Sequence, residues 1–288
     1  MKIKSKNILI TGVSTGIGYD LVKVFLANEY IVYGSVRKQQ DADRLLKEFG
    51  NNFHPMLFDV TDHKSIENVA DQLKEELKDE GLGGLINNAG VAIGGPFIDL
   101  TIEDFRYQFE VNVFGLIKVT QEFLPLLGAQ SDHPSFPGKI FQISSVSGKN
   151  GMPFISPYTG SKHALEGITE SLRKELLLFG IDVVLIEPGP IKTPIWNKGA
   201  SDLIEKKFED SVYSSILKRY HTKFIIPTVK KAWTSDKAAG IIFNIFEKRR
   251  PKVRYVITAH KLKSWTLPRM LPTRTLDKII GKALGLIK

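Results

Sequence analysis

Ile8-Leu9-Ile10-Thr11-Gly12-Val13-Ser14-Thr15-Gly16-Ile17-Gly18 runs from a β-branched apolar stretch through a glycine turn into residues 16–27, where apolar positions recur at helical spacing. Strand, glycine turn and helix in that order can cradle a phosphate. Glycines keep Cβ atoms away from a pyrophosphate, and the helix start offers unpaired N–H groups and the positive end of its dipole. The spacing is G-x-x-x-G-x-G rather than G-x-G-x-x-G, and no Gly-Lys-Ser/Thr follows as a nucleotide triphosphatase requires. Read alone, the loop fits a dinucleotide site and a tight structural turn alike.

Outward from the loop, short β-branched runs at 7–10, 30–36, 56–60, 85–87, 139–143, 182–187 and 254–257 read as strands. They alternate with helical patterns at 16–27, 41–49, 63–78, 101–127, 158–179 and 235–248. Runs as continuously apolar as Val183-Val184-Leu185-Ile186 suit a parallel sheet covered on both faces. The pattern predicts a single doubly wound α/β domain of the Rossmann type, residues 1–254, with a mostly seven-stranded parallel sheet. Residues 189–234 follow the sixth strand and read as a substrate loop or lid, since ligands of open α/β sheets sit at that edge. Residues 255–288 form a basic extension.

The chain has 288 residues, 42% hydrophobic and 25% charged, enough to build a packed core and too few for more than about two domains. It has no cysteine, which excludes disulfide scaffolds, thiolate metal sites and cysteine nucleophiles and suggests an intracellular, cytoplasmic setting. No secretory pattern opens it and no long uncharged apolar stretch occurs. The six histidines show no metal-binding spacing, so no metal is expected. The net charge of +9 is uneven: residues 201–288 hold 20 Lys/Arg against 7 Asp/Glu, and the rest carries a balance of −4. An anionic partner for the tail follows naturally, with lipid headgroups ahead of nucleic acid because no nucleic-acid module accompanies the charge.

Dinucleotide sites that prefer NAD place an acid at the end of the second strand, on the ribose 2′-hydroxyl. Here the stretch reads Val36-Arg37-Lys38. Arg37, with Ser14 and Lys38, can hold a 2′-phosphate by charge-assisted hydrogen bonds, which favours NADP(H) over NAD(H). The plainer reading is that both cations solvate a strand end. Tyr158 and Lys162 stand four apart where Pro157 opens a helical pattern, and so share a face. A fixed ammonium near the phenol would lower its pKa from about 10 and make the tyrosine a usable acid and base.

In order along about two-thirds of the chain, these motifs resemble the classical short-chain dehydrogenase/reductase (SDR) family, nearest its 17β-hydroxysteroid and retinol dehydrogenase branch. Gly12, Ser14, Thr15, Gly16, Ile17 and Gly18 look like its cofactor loop, Asp59-Val60 like its adenine contact, and Asn87-Asn88-Ala89-Gly90 like the motif ending the fourth strand. Pro188, Gly189, Ile191 and Thr193 look like the segment at the nicotinamide. The resemblance implies a tetrad of Asn112, Ser145, Tyr158 and Lys162: Tyr158 exchanges a proton with the substrate oxygen, Ser145 polarises it, Lys162 binds the nicotinamide ribose, and Asn112 holds a water leading to Lys162. Each has a plainer reading, with Asn112 interrupting a helix, Ser145 capping a strand end and Asn88 tying strands together.

Candidate substrate contacts, besides Ser145 and Tyr158, are Phe97, Phe154, Ile155, Ile195 and Trp196, with Phe208 and Tyr213 beyond them. They suit a hydrophobic ketone, aldehyde or alcohol, steroid- or retinoid-like or otherwise apolar. The family also implies homodimers or homotetramers formed through the helices starting near Thr101 and Tyr158. Leu276, Ile279, Ile280, Ala283, Leu284 and Ile287 fall on one helical face opposite lysines, which suits either packing on the domain or a partner subunit, or contact with an anionic membrane. The alternative function is a non-catalytic NADPH-binding module with a basic tail.

Overall fold

The computed structural model describes residues 5–78, 80–130, 137–194, 207–259 and 261–287. Strands β1 (Asn7–Ile10), β2 (Ile31–Val36), β3 (Phe53–Leu57), β4 (Gly84–Asn87), β5 (Lys139–Ile143), β6 (Asp182–Pro188) and β9 (Arg254–Ile257) form a seven-stranded sheet ordered β3-β2-β1-β4-β5-β6-β9. Every pairing is parallel. The strand order reverses between β1 and β4, so their carboxyl ends leave a crevice, the place where open parallel sheets bind ligands.

Strand periodicity divides the core between two faces. Ile8 and Ile10 of β1 join α1 (Gly16–Leu26) and α9 (Ser235–Phe246) in one cluster, while Leu9 between them joins α3 (His63–Leu77) and the helix through Val119 and Phe123 in the other. In the first cluster, Phe25 meets Tyr30, Phe243 and Phe246 edge to face at centroid distances of 5.0–5.1 Å. Asp62 caps α3 by accepting from the Ser65 N–H, and Thr101 and Asp104 form a reciprocal capping box at the start of α4 (Ile102–Phe109).

Two elements differ from the sequence reading. The third strand occupies Phe53–Leu57 rather than 56–60, with Pro55 inside it. This is an edge strand, paired with β2 alone, and an edge tolerates the lost N–H. The helix expected over 101–127 is four pieces: α4, a π-helical turn at Glu110–Gly115, α5 (Leu116–Phe123) and a 3₁₀ turn at Pro125–Leu127. A Cβ on Gly115 would lie 2.4 Å from the Val60 carbonyl, so this turn approaches the main chain after β3 as only glycine permits.

Helix α6 (Ser156–Glu175) carries Tyr158 and Lys162, and α2 (Gln39–Phe49) follows β2. Beyond β6, the short strands β7 (Ile191–Lys192) and β8 (Trp233–Thr234) pair with each other and tie the two ends of the 189–234 segment together. Within it lie α7 (Ser214–Tyr220) and α8 (Ile226–Lys231). After β9, a short helix α10 (Leu267–Met270) precedes α11 (Thr273–Leu284). Helix α11 rests on α7, with Gly281 and Leu284 buried and Ile279 exposed, as is Ile287 just past its end. The expected apolar face is thus partly covered by the chain itself.

Candidate active site

The crevice is a cleft of about 510 Å³ running from the β2 end to α7. At one end is the glycine loop. Gly12 and Gly16 take positive φ (+70° and +63°), and an added Cβ on Gly12 would fall 2.9 Å from Ala89 Cα. Thr15 stands at the N-cap of α1 with no side-chain capping bond, so the first N–H groups of this helix receive no acceptor from it. Loop and helix start thus form a cradle of N–H donors, which fits the pyrophosphate of a dinucleotide.

The cradle is locked from beneath. Asn88 Nδ2 donates to the Thr11 and Gly12 carbonyls (2.9 and 3.1 Å), and Thr11 Oγ1 accepts from the N–H groups of Asn88 and Ala89 (both 3.0 Å). Ser35 Oγ accepts from the Gly12 N–H (2.9 Å). The Asn88 side chain is therefore a tie for the loop, and Asn87, bonded to Thr120 Oγ1 (2.9 Å), ties β4 to α5.

At the β2 end, Arg37 and Lys38 line the cleft with Ser14, Asp59 and Val60. Arg37 Nη1 stands 3.7 Å from Asp59 Oδ2, and Asp59 also accepts from the Thr61 N–H and hydroxyl. Asp41 enters from α2 but pairs with Arg44 (3.1 Å), whose guanidinium also holds the Ser14 carbonyl (2.9 Å). Both acids thus have a cationic partner, and Lys38 adds a further positive charge. That balance fits a phosphate on the ribose better than a bare 2′-hydroxyl.

Ser145, Tyr158 and Lys162 line the middle of the cleft. Ser145 stands just past β5, where its hydroxyl accepts from the Ser147 N–H (3.1 Å). Burial pushes the Tyr158 phenol above its ordinary value, and the nearby Ser145 hydroxyl acts in the opposite direction. The expected lowering by Lys162 is not part of this arrangement. The Lys162 ammonium donates to the Ile143 carbonyl (2.8 Å) and lies 5.8 Å from the centre of the Tyr158 ring. Burial lowers its own pKa to about 8, with Glu166 acting the other way.

Asn112 lies in the π-helical turn. Its Oδ1 accepts from the Val91 N–H (2.9 Å), and its Nδ2 donates to the Val91 carbonyl and Ser161 Oγ (3.0 and 3.1 Å). Both amide protons are thereby used, so a connection from Asn112 to Lys162 does not run through them. The side chain instead grips the loop after β4 and the face of α6. Gln108, which sequence reasoning missed, does the same one turn earlier, bonding the Ile93 N–H (2.7 Å) and Val91 carbonyl (2.8 Å). Its spacing of four from Asn112 was the available signal.

Gly90, Pro188, Gly189, Ile191 and Thr193 line the cleft as expected, and Thr193 Cγ2 stands 3.2 Å from where a Gly16 Cβ would be. Of the proposed substrate contacts, Phe154 and Ile155 line it. Phe154 takes φ +66°, strained for a bulky residue, and its ring packs on Tyr213 and Tyr220. Phe97 is a correction: it is 69% exposed, packs against Phe105 and does not line the cleft. The chain turns at Gly95, whose N–H is held by the Phe154 carbonyl, and Phe208 packs against that glycine in its place. Ile195 and Trp196 lie outside the described residues. Leu217, Tyr220, His221 and Ile225 supply the far wall, unanticipated from the sequence.

The short chain dehydrogenase family model matches residues 6–203. The chain belongs to this family. It is an oxidoreductase, in keeping with the cleft. It is 41% identical over 276 residues to the NADPH-dependent 3-dehydrocapnine reductase of Ornithobacterium rhinotracheale, covering 96% of each chain. It is 34% identical over 288 residues to the oxidoreductase YusZ of Bacillus subtilis, covering 98% of this chain and 99% of that one. A short-chain dehydrogenase structure from Streptomyces avermitilis superposes with a TM-score of 0.75 at 25% identity, covering 96% and 98% of the two chains. Among the described residues, no group of three or more His, Cys, Asp or Glu could hold a metal ion, and no helix is long and apolar enough to cross a membrane.

Proposed function

We propose that this oxidoreductase reduces a hydrophobic ketone or aldehyde, or oxidises the corresponding alcohol, with NADP(H). The observation that carries the reading is that Ser145, Tyr158 and Lys162 line one cleft with the glycine cradle, Arg37 and Lys38. The NADPH dependence named for the Ornithobacterium reductase supports the cofactor. Gly12 to Gly18 hold the pyrophosphate, Ser14, Arg37 and Lys38 the 2′-phosphate, Asp59 and Val60 the adenine, and Ala89, Gly90, Pro188, Gly189, Ile191 and Thr193 the rest. When bound, the nicotinamide supplies or accepts the hydride.

The chain's own part is to place a proton. Ser145 holds the substrate oxygen beside the Tyr158 hydroxyl, and Tyr158 donates its proton to that oxygen as negative charge develops there. A phenol held above its ordinary pKa is fully protonated at neutral pH, as a donor must be. Lys162 binds the ribose and keeps positive charge near the tyrosine once its proton has left. Phe154, Ile155, Leu217, Tyr220 and Ile225 line the substrate end and exclude water, which selects an apolar body around the reacting carbon. Asn112 and Gln108 hold the loop that backs the site.

Consumption of NADPH and of NADH with a panel of apolar ketones and aldehydes, beside Tyr158→Phe, tests this. Turnover with NADPH that the variant loses supports it. Preference for NADH would refute the Arg37 argument, and NADPH binding without any turnover would favour the binding-module alternative. The same reading includes a homo-oligomer through α4, α5 and α6, where Tyr107 and Phe114 are exposed, as are Leu177 and Leu178 just past α6. Light scattering checks it. It includes peripheral contact of α11 with an anionic membrane, supported by exposed Ile279 and Ile287 beside Lys278 and Lys282.

A further inference from the structure

One helical turn after Lys162, α6 carries Glu166, 1% exposed. Arg254, opening β9, bonds through Nη1 to both Glu166 Oε2 and Glu187 Oε1, and through Nη2 to Glu170 Oε1 (2.9 Å). Lys149 stands 3.7 Å from Glu166 and from Glu170. Two fully buried carboxylates therefore share one guanidinium nitrogen. The remaining oxygens, Glu166 Oε1 and Glu187 Oε2, are buried without a hydrogen-bond partner, as is Ser144 Oγ. A Cβ on Gly148 would fall 2.9 Å from both Glu166 Cγ and Ser144 Oγ, so glycine is what lets Glu166 sit this deep.

Such a cluster is costly, and the chemistry described above does not use it. Two like charges on one cation cannot both ionise freely. Burial and the neighbouring Glu166 push Glu187 up to about 7. We propose that Glu166 is a positioning residue for the reaction, its buried charge one turn from Lys162 holding that side chain as an ammonium. The charged groups around Glu166 are Lys162 and Glu170 on its own helix, Lys149 on the turn after β5, Glu187 on β6 and Arg254 on β9. Lys162 itself faces Tyr158, 5.8 Å away at the ring centre, and Glu166 stands one turn behind it on the same buried face of α6. The role assigned to Lys162 rests on the reading under Proposed function, but its charge state can be read without substrate.

The experiment is a pH titration of the full chain labelled with ¹³Cε-lysine, the Lys162 resonance being assigned by its loss in Lys162→Met. Glu166→Gln keeps the shape and an acceptor for Arg254 but removes the charge. Its Lys162 is expected to titrate roughly one to two pH units below the parent, the size of a unit-charge interaction across one helical turn in a partly screened interior. Glu166→Asp is expected to restore most of the shift, which a merely structural role would not require. Glu187→Gln is expected to leave Lys162 within a few tenths of a unit. Lys162 titrating alike in Glu166→Gln and parent overturns the proposal. So does a downward shift of a unit or more in Glu187→Gln, the variant that decides the matter if Glu166→Gln does not fold. Absence of turnover with every carbonyl tried would count against the proposed activity and leave this titration standing.

Discussion

Gly18 and Gly167 both lie inside helices, and replacing each with alanine should move stability in opposite directions. Alanine is preferred over glycine in a helix interior by about 0.8–1 kcal/mol. At Gly167 on α6 an added Cβ meets nothing within 4 Å, so that gain should appear in full. At Gly18 on α1 the Cβ would sit 2.3 Å from the Gly12 carbonyl oxygen and 2.5 Å from Asn88 Nδ2. Neither is the end of a free side chain, since Asn88 is what holds the loop. Relief requires the loop and α1 to part by roughly 1 Å, and overpacking of this kind costs about 1–3 kcal/mol. Subtracting the helical gain leaves a loss of about 0–2 kcal/mol. The same displacement moves the cradle, and misplacement by about 1 Å can reduce a rate a hundredfold. Urea unfolding of both variants, with NADPH affinity followed by nucleotide fluorescence, gives the comparison. A Gly18→Ala protein as stable as Gly167→Ala and binding NADPH like the parent would refute the packing argument.

Tyr158→Phe should keep the fold and NADPH binding while lowering kcat by about 10²–10⁴, checked by steady-state kinetics beside nucleotide titration. Arg37→Ala should raise the NADPH KM about tenfold or more while leaving that for NADH nearly unchanged, because charge-assisted hydrogen bonds are worth about 1.5–3 kcal/mol and NADH has no phosphate to lose. Lys162 has a folded pKa near 8 against 10.5 for free lysine, so the native state binds fewer protons over that window and stability should rise with pH through it. Reductive turnover should fall over the same interval as the ammonium is lost, so melting temperature and kcat measured from pH 7 to 10 should move oppositely. Lys278→Glu with Lys282→Glu should abolish co-sedimentation with anionic vesicles at low salt and leave turnover of a soluble aldehyde intact. Binding to neutral vesicles by the unaltered protein would point away from a charge effect.

The glycine loop and the Tyr158–Lys162 pair were legible because local geometry dictates them: Gly12 needs positive φ, and residues four apart on a helix share a face. The alternation of elements was legible for the same reason, since strand and helix periods are written locally. Features set by tertiary contact were not. Pro55 within β3 is acceptable because β3 is the outermost strand, a fact of topology. The π-helical turn depends on how closely Gly115 meets Val60. Phe97 looked like a pocket residue by type, yet beyond the turn at Gly95 it faces outward, while Phe208 packs on that glycine without lining the cleft. The wall of Leu217, Tyr220 and Ile225 was hidden in a segment of mixed polarity, where no period marks the face that meets the cleft.

The π-helical turn at Glu110–Gly115 also acts as a phase shifter. Each residue turns an α-helix by about 100°, so the extra residue sets the two halves of this long helix out of step. Upstream, Gln108 aims at the loop of Val91 and Ile93; downstream, Thr120 aims at Asn87 on the sheet. An unbroken α-helix could not satisfy both at this separation. Replacing the π turn by an ordinary α-helical turn at unchanged length would leave composition and helix content almost untouched, yet rotate the first half by about a quarter-turn and swing Gln108 off the loop it grips. The register of one helix thus carries information that no individual side chain in the tetrad holds.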